Sequence, residues 1–186
     1  KNLINSIWLS YLLKNKNLLL NTLSKNKIDF SFPFRRETIN VLEWARSSYS
    51  SWKLDYLLSI NLYGKGRYDE SEKILSKIGD ESLNPIFYLN RGIILEKNGI
   101  DPLNDFKKAY QLDSKNWRIS KSLSNYFYDL GNYNEANKIL EKSYQNDITN
   151  YIIGMDYVKS LVKLKKYAHA ISILKKLNIL PYEHAG

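Results

Sequence analysis

The fold is indicated most clearly by residues 116–140, which read NWRISKSLSNYFYDLGNYNEANKIL. Two stretches with apolar residues at helical spacing flank a short polar turn, and this pattern predicts a helical hairpin. Gly131 suits the turn, because glycine readily takes the positive φ at which helices commonly end. The stretch aligns without a gap with residues 150–174, which places Tyr151 on Trp117 at a spacing of 34 residues. A repeat of this length predicts stacked helical hairpins.

Two further copies of the pattern precede this pair. One begins at Trp52 and has Gly66 in its turn, and the next begins at Pro85, has Gly99 in its turn and is two residues shorter. Asp101-Pro102 follows that turn and predicts the start of a second helix, with the aspartate as cap and the proline in the first turn. We therefore predict repeats at 52–84, 85–116, 117–150 and 151–181, followed by a tail at 182–186.

Residues 1–51 fit the repeat less well. Apolar spacing predicts short helices at 3–13, 18–23 and 35–46, separated by the irregular apolar stretch 28–34. End repeats are usually atypical because they have a neighbour on one side only. We therefore interpret 1–51 as a degenerate N-terminal helical repeat that caps a single domain spanning 1–186.

The repeat resembles the tetratricopeptide repeat (TPR). That family has small residues at the eighth and twentieth positions of each 34-residue unit, where helices approach closely. The matching small residues here are Ser59, Gly92 and Ser124 at the eighth position and Ser71, Ala136 and Ala170 at the twentieth. Val158 departs from the pattern at the eighth position. The resemblance implies an all-α, right-handed α-solenoid of helix–turn–helix repeats.

A narrower resemblance involves two short strings, PFRRETINVLEWA at 33–45 and NILPYEHAG at 178–186. Both look like the C-terminal TPR region of large bacterial proteins of unknown function, whose upstream β-rich part resembles carbohydrate-active proteins. This resemblance places no catalytic residue within the chain. It leaves open an alternative function, as an accessory or dimerisation region of a larger carbohydrate-active enzyme.

The composition argues against catalysis and metal binding. The chain has no cysteine and only two histidines, His169 and His184. Thiolate zinc sites are therefore excluded, and a catalytic triad or a histidine-rich metal site is hard to assemble. The sequence predicts a non-enzymatic protein without a cofactor.

The net charge is +9, with 22 lysines and only 6 arginines. Nucleic-acid binding more often uses arginine clustered with aromatic residues, so we expect a protein partner and not a nucleic acid. The apolar runs are too short to span a membrane. The chain begins at Lys1 and its one methionine is Met155, so we expect a piece of a longer protein, with any targeting signal outside it. We expect it to be soluble, and the compartment stays open between cytoplasm and periplasm.

The TPR resemblance implies a concave groove lined by the first helix of each hairpin. The groove residues carried over from the family pattern are Lys53, Tyr56, Tyr63, Arg118, Lys121, Asn125, Tyr128, Met155, Lys159 and Lys163. Cations, tyrosines and an aliphatic side chain suit an acidic, partly apolar peptide. The sequence thus predicts a protein-interaction or scaffold module that binds a protein segment in this groove.

One known mode of peptide binding in the family clamps a C-terminal carboxylate with a lysine and an asparagine. Lys121 and Asn125 match those two positions, but Asp156 stands where the next repeat should supply an asparagine. A carboxylate there is expected to repel another carboxylate.

The last hairpin has no following repeat in the sequence. Its apolar residues Ile171, Leu174, Leu177 and Leu180 would normally pack on a next helix, since a repeat cannot bury its apolar face alone. We predict that this end is covered by the chain's own tail, by downstream residues or by a second copy of the chain.

Overall fold

A computed structural model describes residues 2–30, 32–33, 35–78 and 84–177. Within these ranges the chain is all-helical and contains no strand, which confirms the predicted fold class. The helices are α1 (Leu3–Leu12), α2 (Lys16–Lys25), α3 (Thr38–Ser48), α4 (Trp52–Gly64), α5 (Tyr68–Leu75), α6 (Pro85–Lys97), α7 (Leu103–Leu112), α8 (Trp117–Asp129), α9 (Tyr133–Asn146), α10 (Tyr151–Lys163) and α11 (Tyr167–Leu174). No helix in this described part is long and apolar enough to cross a membrane.

The chain divides into two compact units, Lys1–Asp105 (unit 1) and Phe106–Gly186 (unit 2). In unit 1, α1 packs against α2 and α3, α3 against α4, and α4 against α5. Large side chains that are almost fully buried fill its core: Ile7, Leu19, Val41, Leu42, Leu54, Tyr56, Phe87 and Tyr88. The three predicted helices of the N-terminal region therefore contribute to the same core as the first repeat.

Unit 2 has a core between α9, α10 and α11. Its buried members are Leu140, Tyr144, Ile153, Tyr157, Val158, Leu161, Ala170 and Ile173, with Trp117 and Leu177 packed against them. Gly154 lies directly beneath Leu177, and a Cβ on this glycine would overlap the leucine methyl groups. Leu177 thus covers α10 only because residue 154 has no side chain.

Asparagine is the N-cap residue of most of the helices. The side-chain oxygen accepts a backbone N–H of the first turn at α1, α2, α6, α8, α9 and α10, from Asn2, Asn15, Asn84, Asn116, Asn132 and Asn150. Such caps satisfy N–H groups that have no partner within the helix. The predicted cap at Asp101 is also confirmed, because its Oδ1 accepts the N–H of Leu103 at 3.0 Å.

The hairpin turns share one left-handed residue at the same position of each repeat. Gly66, Gly99 and Gly131 have φ of 77°, 72° and 75°, and Lys165 occupies the corresponding place with φ 59°. A side chain at positive φ brings Cβ close to the following carbonyl oxygen. The turn at Lys165 is therefore strained, as is the α1–α2 turn, where Lys14 has φ 51°, whereas the three glycine turns are not.

Replacing Lys165 by glycine is expected to raise the free energy of unfolding by about 0.5–1 kcal/mol. Relief of the left-handed strain, about 1–2 kcal/mol, exceeds the added entropy of glycine in the unfolded chain. Urea denaturation followed by circular dichroism measures the change. Lys166→Gly is the matched control: Lys166 has φ −87°, so its replacement relieves no strain and should not stabilise. Equal effects of the two substitutions would contradict the strain argument.

Candidate functional site

Unit 2 contains a polar cavity of about 250 Å³ between α8 and α10. Four of the predicted groove residues line it, and these are Lys121, Asn125, Tyr128 and Lys159. The remaining lining residues are Ser124, Asp129, Leu140 and Asp156. Residues of two successive repeats thus meet at one place. We call this site the polar cavity.

Asp156 is the electrostatic centre of the polar cavity. Lys121 Nζ donates to its Oδ2 at 2.5 Å, and Lys159 Nζ donates to its Oδ1 at 3.0 Å. The Asp156 side chain is only 10% exposed, whereas those of Lys121 and Lys159 are 36% and 60% exposed. The carboxylate that the sequence expects to repel a ligand therefore holds two ammonium groups in the cavity wall.

A buried hydrogen-bond chain fixes α9 against α10 next to this cavity. Asn137 Nδ2 donates to Ser160 Oγ at 2.9 Å, and Ser160 Oγ donates to the carbonyl of Tyr157 at 2.7 Å. Asn137 and Ser160 are both buried, so water competes little for these bonds. The network holds the part of α10 that presents Asp156 and Lys159.

The other predicted residues of unit 2 lie on the same helices but do not line the polar cavity. Arg118 stacks its guanidinium 4.5 Å from the Trp117 ring centroid, and Lys163 Nζ lies 5.6 Å from that of Tyr133. Met155 is half-buried. Both cations are therefore held against rings of their own unit.

In unit 1, Lys53 binds backbone carbonyls at the C-terminal end of α2. Its Nζ donates to the carbonyls of Leu23 at 2.5 Å and Asn26 at 2.7 Å, which end α2. A cation at a helix C-terminus satisfies carbonyls that lack partners and opposes the negative end of the helix dipole. Burial lowers the pKa of Lys53. This lysine is engaged by its own chain.

The two predicted tyrosines of unit 1 differ in exposure. Tyr56 is 1% exposed, its hydroxyl accepts from Asn90 Nδ2 at 2.7 Å, and burial raises its pKa well above the usual range. Tyr63 is half-buried, its ring centroid lies 5.2 Å from that of Tyr68, and burial raises its pKa. Tyr56 therefore belongs to the core, and Tyr63 remains at the surface.

The segment between α2 and α3 lies against α4. Asn61 Nδ2 donates to the carbonyls of Pro33 at 2.9 Å and Arg35 at 3.1 Å, and Asn84 Nδ2 donates to that of Ile28 at 3.3 Å. Together with Lys53, these side chains hold backbone carbonyls of an irregular segment. The family pattern did not single out Asn61, although an amide inside the apolar stretch 57–62 is a signal for a buried polar contact.

The predicted open end of the last repeat is partly covered. Leu177 packs over Gly154, while Ile171 and Leu174 are 52% and 41% exposed. Leu180 lies outside the described residues. Self-association through this end stays a prediction.

The described residues include no group of three or more His, Cys, Asp or Glu side chains that could hold a metal ion. The polar cavity offers ammonium, amide and phenol donors beside two carboxylates. Such a set suits hydrogen bonding and ion pairing with a ligand.

Comparison with solved structures identifies the class of protein. MamA from MSR-1 matches with a TM-score of 0.62 at 15% identity, over 90% of this chain and 92% of MamA. The C-terminal part of a TPR repeat-containing protein from Cytophaga hutchinsonii matches with a TM-score of 0.65 at 22% identity, over 91% of this chain and 62% of that one. YrrB, described as a TPR protein with an unusual peptide-binding site, matches with a TM-score of 0.63 at 16% identity, over 87% of this chain and 80% of YrrB.

The class that these matches define is that of helical repeat proteins. Within that class, the chain has the tetratricopeptide-repeat fold, as the repeat pattern predicted. No known family profile and no curated protein sequence matches the chain. The link to an upstream β-rich, carbohydrate-active part stays a prediction.

Proposed function

We propose that the chain is a non-enzymatic interaction module that binds a segment of another protein, with the polar cavity of unit 2 as the contact site. The observation that carries this proposal is the convergence of Lys121, Asn125, Tyr128 and Lys159 on one 250 Å³ cavity. A cavity of this size accommodates one or two side chains of a partner. The fold supports a binding role, and the solved structures of similar fold include YrrB with its peptide-binding site.

The charges favour an acidic partner segment. The predicted groove positions of α8 and α10 carry four cations, namely Arg118, Lys121, Lys159 and Lys163. Asp129 and Asp156 balance Lys121 and Lys159 within the cavity lining, and Arg118 and Lys163 on the same two helices give the surrounding surface its positive excess. A partner carboxylate can approach Lys159, which is the more exposed of the two lysines on Asp156. Asn125 and Tyr128 can then bond the partner's backbone.

The test is capture of partners from a lysate of the source organism, identified by mass spectrometry. The binding variant combines Asn125→Ala, Tyr128→Ala and Lys159→Ala, and it keeps the Lys121–Asp156 ion pair so that the core near Asp156 stays neutral. The matched control combines Lys107→Ala, Asn134→Ala and Tyr167→Ala, three exposed residues of unit 2 outside the cavity.

We expect a partner that is retained by wild type and control and is weakened at least about tenfold by the binding variant, which corresponds to about 1.4 kcal/mol. Equal retention by all three proteins would refute the polar cavity as the binding site. Melting temperatures of the three proteins exclude loss of binding through unfolding.

A further inference from the structure

The turn between α1 and α2 exposes a cluster of leucines. Leu12 is 67% exposed, Leu13 60% and Leu9 43%. Leu9 lies three residues before Leu12 and four before Leu13, so the three side chains share one face at the end of α1. We call these three residues the leucine tip. A single exposed leucine is common on protein surfaces, whereas a contiguous group of large apolar side chains is typical of a contact surface.

Lysines without carboxylates accompany the leucine tip. Lys14 and Lys16 follow it directly, and residues 2–28 contain four lysines and no aspartate or glutamate. Both lysines are exposed, and Lys16 has no ion pair among the described residues. Lys14 Nζ lies 4.5 Å from the Tyr11 ring centroid, a contact that leaves its charge uncompensated. No carboxylate is among the described residues that line the surface concavities on either side of the tip, so this surface is complementary to anions.

Two aromatic side chains lie directly behind the leucine tip. Trp8 and Tyr11 are half-buried, and their ring centroids are 6.2 Å apart. Tyr11 also packs edge-on against Trp44, with ring centroids 5.4 Å apart. Tryptophan and tyrosine are enriched where an apolar phase meets water, because an apolar ring and a polar group occur in one side chain. Exposed leucines, aromatic rings and lysines together are typical of a segment that binds a membrane surface.

The backbone N–H groups of the turn are bonded within the chain. Those of residues 13, 14 and 15 donate to carbonyls of α1 at 3.0, 3.1 and 2.9 Å. Asn15 Oδ1 accepts the N–H of Leu18 at 2.9 Å, which caps α2. Polar backbone groups without partners are costly in an apolar surrounding, and these bonds remove that cost for the turn. The turn therefore offers few donors to a peptide, whereas acyl chains require none.

We propose that the leucine tip inserts into the surface of a bilayer that contains anionic lipids and thereby attaches the chain to one face of a membrane. Leu12 and Leu13 enter the boundary between headgroups and acyl chains, and Lys14 and Lys16 pair with anionic headgroups. Attachment of this kind needs no spanning helix. It involves unit 1 alone and is independent of the polar cavity.

The test is co-sedimentation of the whole chain with vesicles of phosphatidylcholine alone or of an equal mixture of phosphatidylcholine and phosphatidylglycerol. The apolar variant combines Leu12→Ser and Leu13→Ser. Its matched control combines Leu130→Ser and Ile148→Ser, at residues of unit 2 that are 66% and 63% exposed. The two pairs thus remove similar exposed apolar side chains at different places.

A second pair of variants separates the lysines of the tip from the net charge of the chain. The charge variant combines Lys14→Gln and Lys16→Gln. Its control combines Lys107→Gln and Lys115→Gln, which lowers the net charge equally at two exposed lysines of unit 2. A difference between these two proteins is therefore an effect of position.

We expect binding to the mixed vesicles to be at least about tenfold tighter than to phosphatidylcholine vesicles, and to weaken as salt is added. The apolar variant should weaken binding to mixed vesicles at least about tenfold and the charge variant at least about fivefold, while each control changes it less than about twofold. No binding to mixed vesicles, equal losses in variants and controls, or unchanged binding in the apolar variant would each overturn the proposal.

The cysteine-free sequence allows a second readout that depends on no loss of binding. Leu13→Cys carries a single nitrobenzoxadiazole label at the tip, and Leu130→Cys carries the same label as control. Mixed vesicles should raise the fluorescence of the label at position 13 and shift its emission to shorter wavelength, because the label leaves water. Equal changes at positions 13 and 130, or no change at position 13, would overturn insertion of the tip.

Two further outcomes assign the surface to something other than lipid. Sedimentation velocity tests for a second copy of the chain: a dimer that the apolar variant dissociates, without vesicle binding by the wild type, would make the tip a self-association interface and overturn the proposal. Vesicle binding lost in the Asn125, Tyr128 and Lys159 alanine variant but kept in the apolar variant would place the lipid contact at the polar cavity and also overturn it. Vesicle binding kept in that alanine variant supports the proposal whether or not the polar cavity binds a protein.

Discussion

Replacing Asp105 by alanine is expected to lower the free energy of unfolding by about 3–5 kcal/mol, the cost of removing one partner of a buried ion pair. The Asp105 carboxylate accepts from Arg91 Nη2 at 2.6 Å and from Arg91 Nε at 2.8 Å. The Arg91 side chain is only 16% exposed, and the Asp105 side chain only 8%. The guanidinium also lies 5.0 Å from the Phe87 ring centroid. Removal of the carboxylate would therefore take two charge-assisted hydrogen bonds from the buried guanidinium, which keeps its bond to the Ile78 carbonyl at 3.0 Å. Urea denaturation followed by circular dichroism measures the loss.

An exposed ion pair of similar geometry provides the control for this prediction. Arg67 and Glu70 approach to 2.6 Å, but their side chains are 46% and 54% exposed. Glu70→Ala should therefore change stability little. The double replacement Arg91→Met with Asp105→Leu should recover much of the loss, because it removes both buried charges together. A loss in Asp105→Ala no larger than in Glu70→Ala would show that the buried pair does not stabilise the fold.

Replacing Asp156 by asparagine is expected to tighten the binding of an acidic peptide by about tenfold. In the wild type, two lysines are paired with this carboxylate, and its negative charge opposes a second one in the polar cavity. The Asp156 carboxylate and a ligand carboxylate about 5 Å away would repel each other by about 3 kcal/mol at an effective dielectric constant of 20. Because Lys159 is exposed and solvent screens the site, we expect the gain in binding free energy to be about 1.4 kcal/mol. Asparagine keeps the size of the side chain and frees both ammonium groups for a ligand.

The measurement is fluorescence anisotropy with a labelled glutamate-rich hexapeptide at low and at moderate salt. Asp147→Asn is the control, because it makes the same change in net charge at an exposed residue outside the polar cavity. A similar gain in both variants would trace the effect to net charge alone. No gain in Asp156→Asn would mean that Lys121 and Lys159 do not contact the ligand carboxylates.

Much of the fold follows from spacing. Trp117 and Tyr151 lie 34 residues apart and both begin helices, and Asp101 caps α7 as its sequence context predicts. Lys165 shows where the pattern is insufficient. A glycine in a turn predicts a left-handed conformation, whereas the sequence gives no indication that a lysine is held at φ 59° by its neighbours.

The candidate site can be predicted from the sequence only where its residues lie at positions set by the repeat pattern. Lys121 and Lys159 come from equivalent helices of successive repeats, so repeat geometry brings them to one cavity. In unit 1 the groove positions of the family pattern include Lys53 and Tyr56, which contact the chain's own Asn26 and Asn90 instead. The irregular segment between α2 and α3 has no repeat pattern, and its place on α4 depends on tertiary hydrogen bonds that spacing does not encode.

The asparagine caps have a consequence for experiments on this protein. An asparagine side chain carries no charge at any pH, so its capping hydrogen bond does not depend on ionisation and is screened little by salt. Ion pairs such as Lys159–Asp156 are screened as ionic strength rises. The starts of α8, α9 and α10 should therefore stay intact over salt concentrations that weaken ligand contacts in the polar cavity. A salt titration of binding can then be interpreted as a property of the site itself, without a correction for fraying of the helices that carry it.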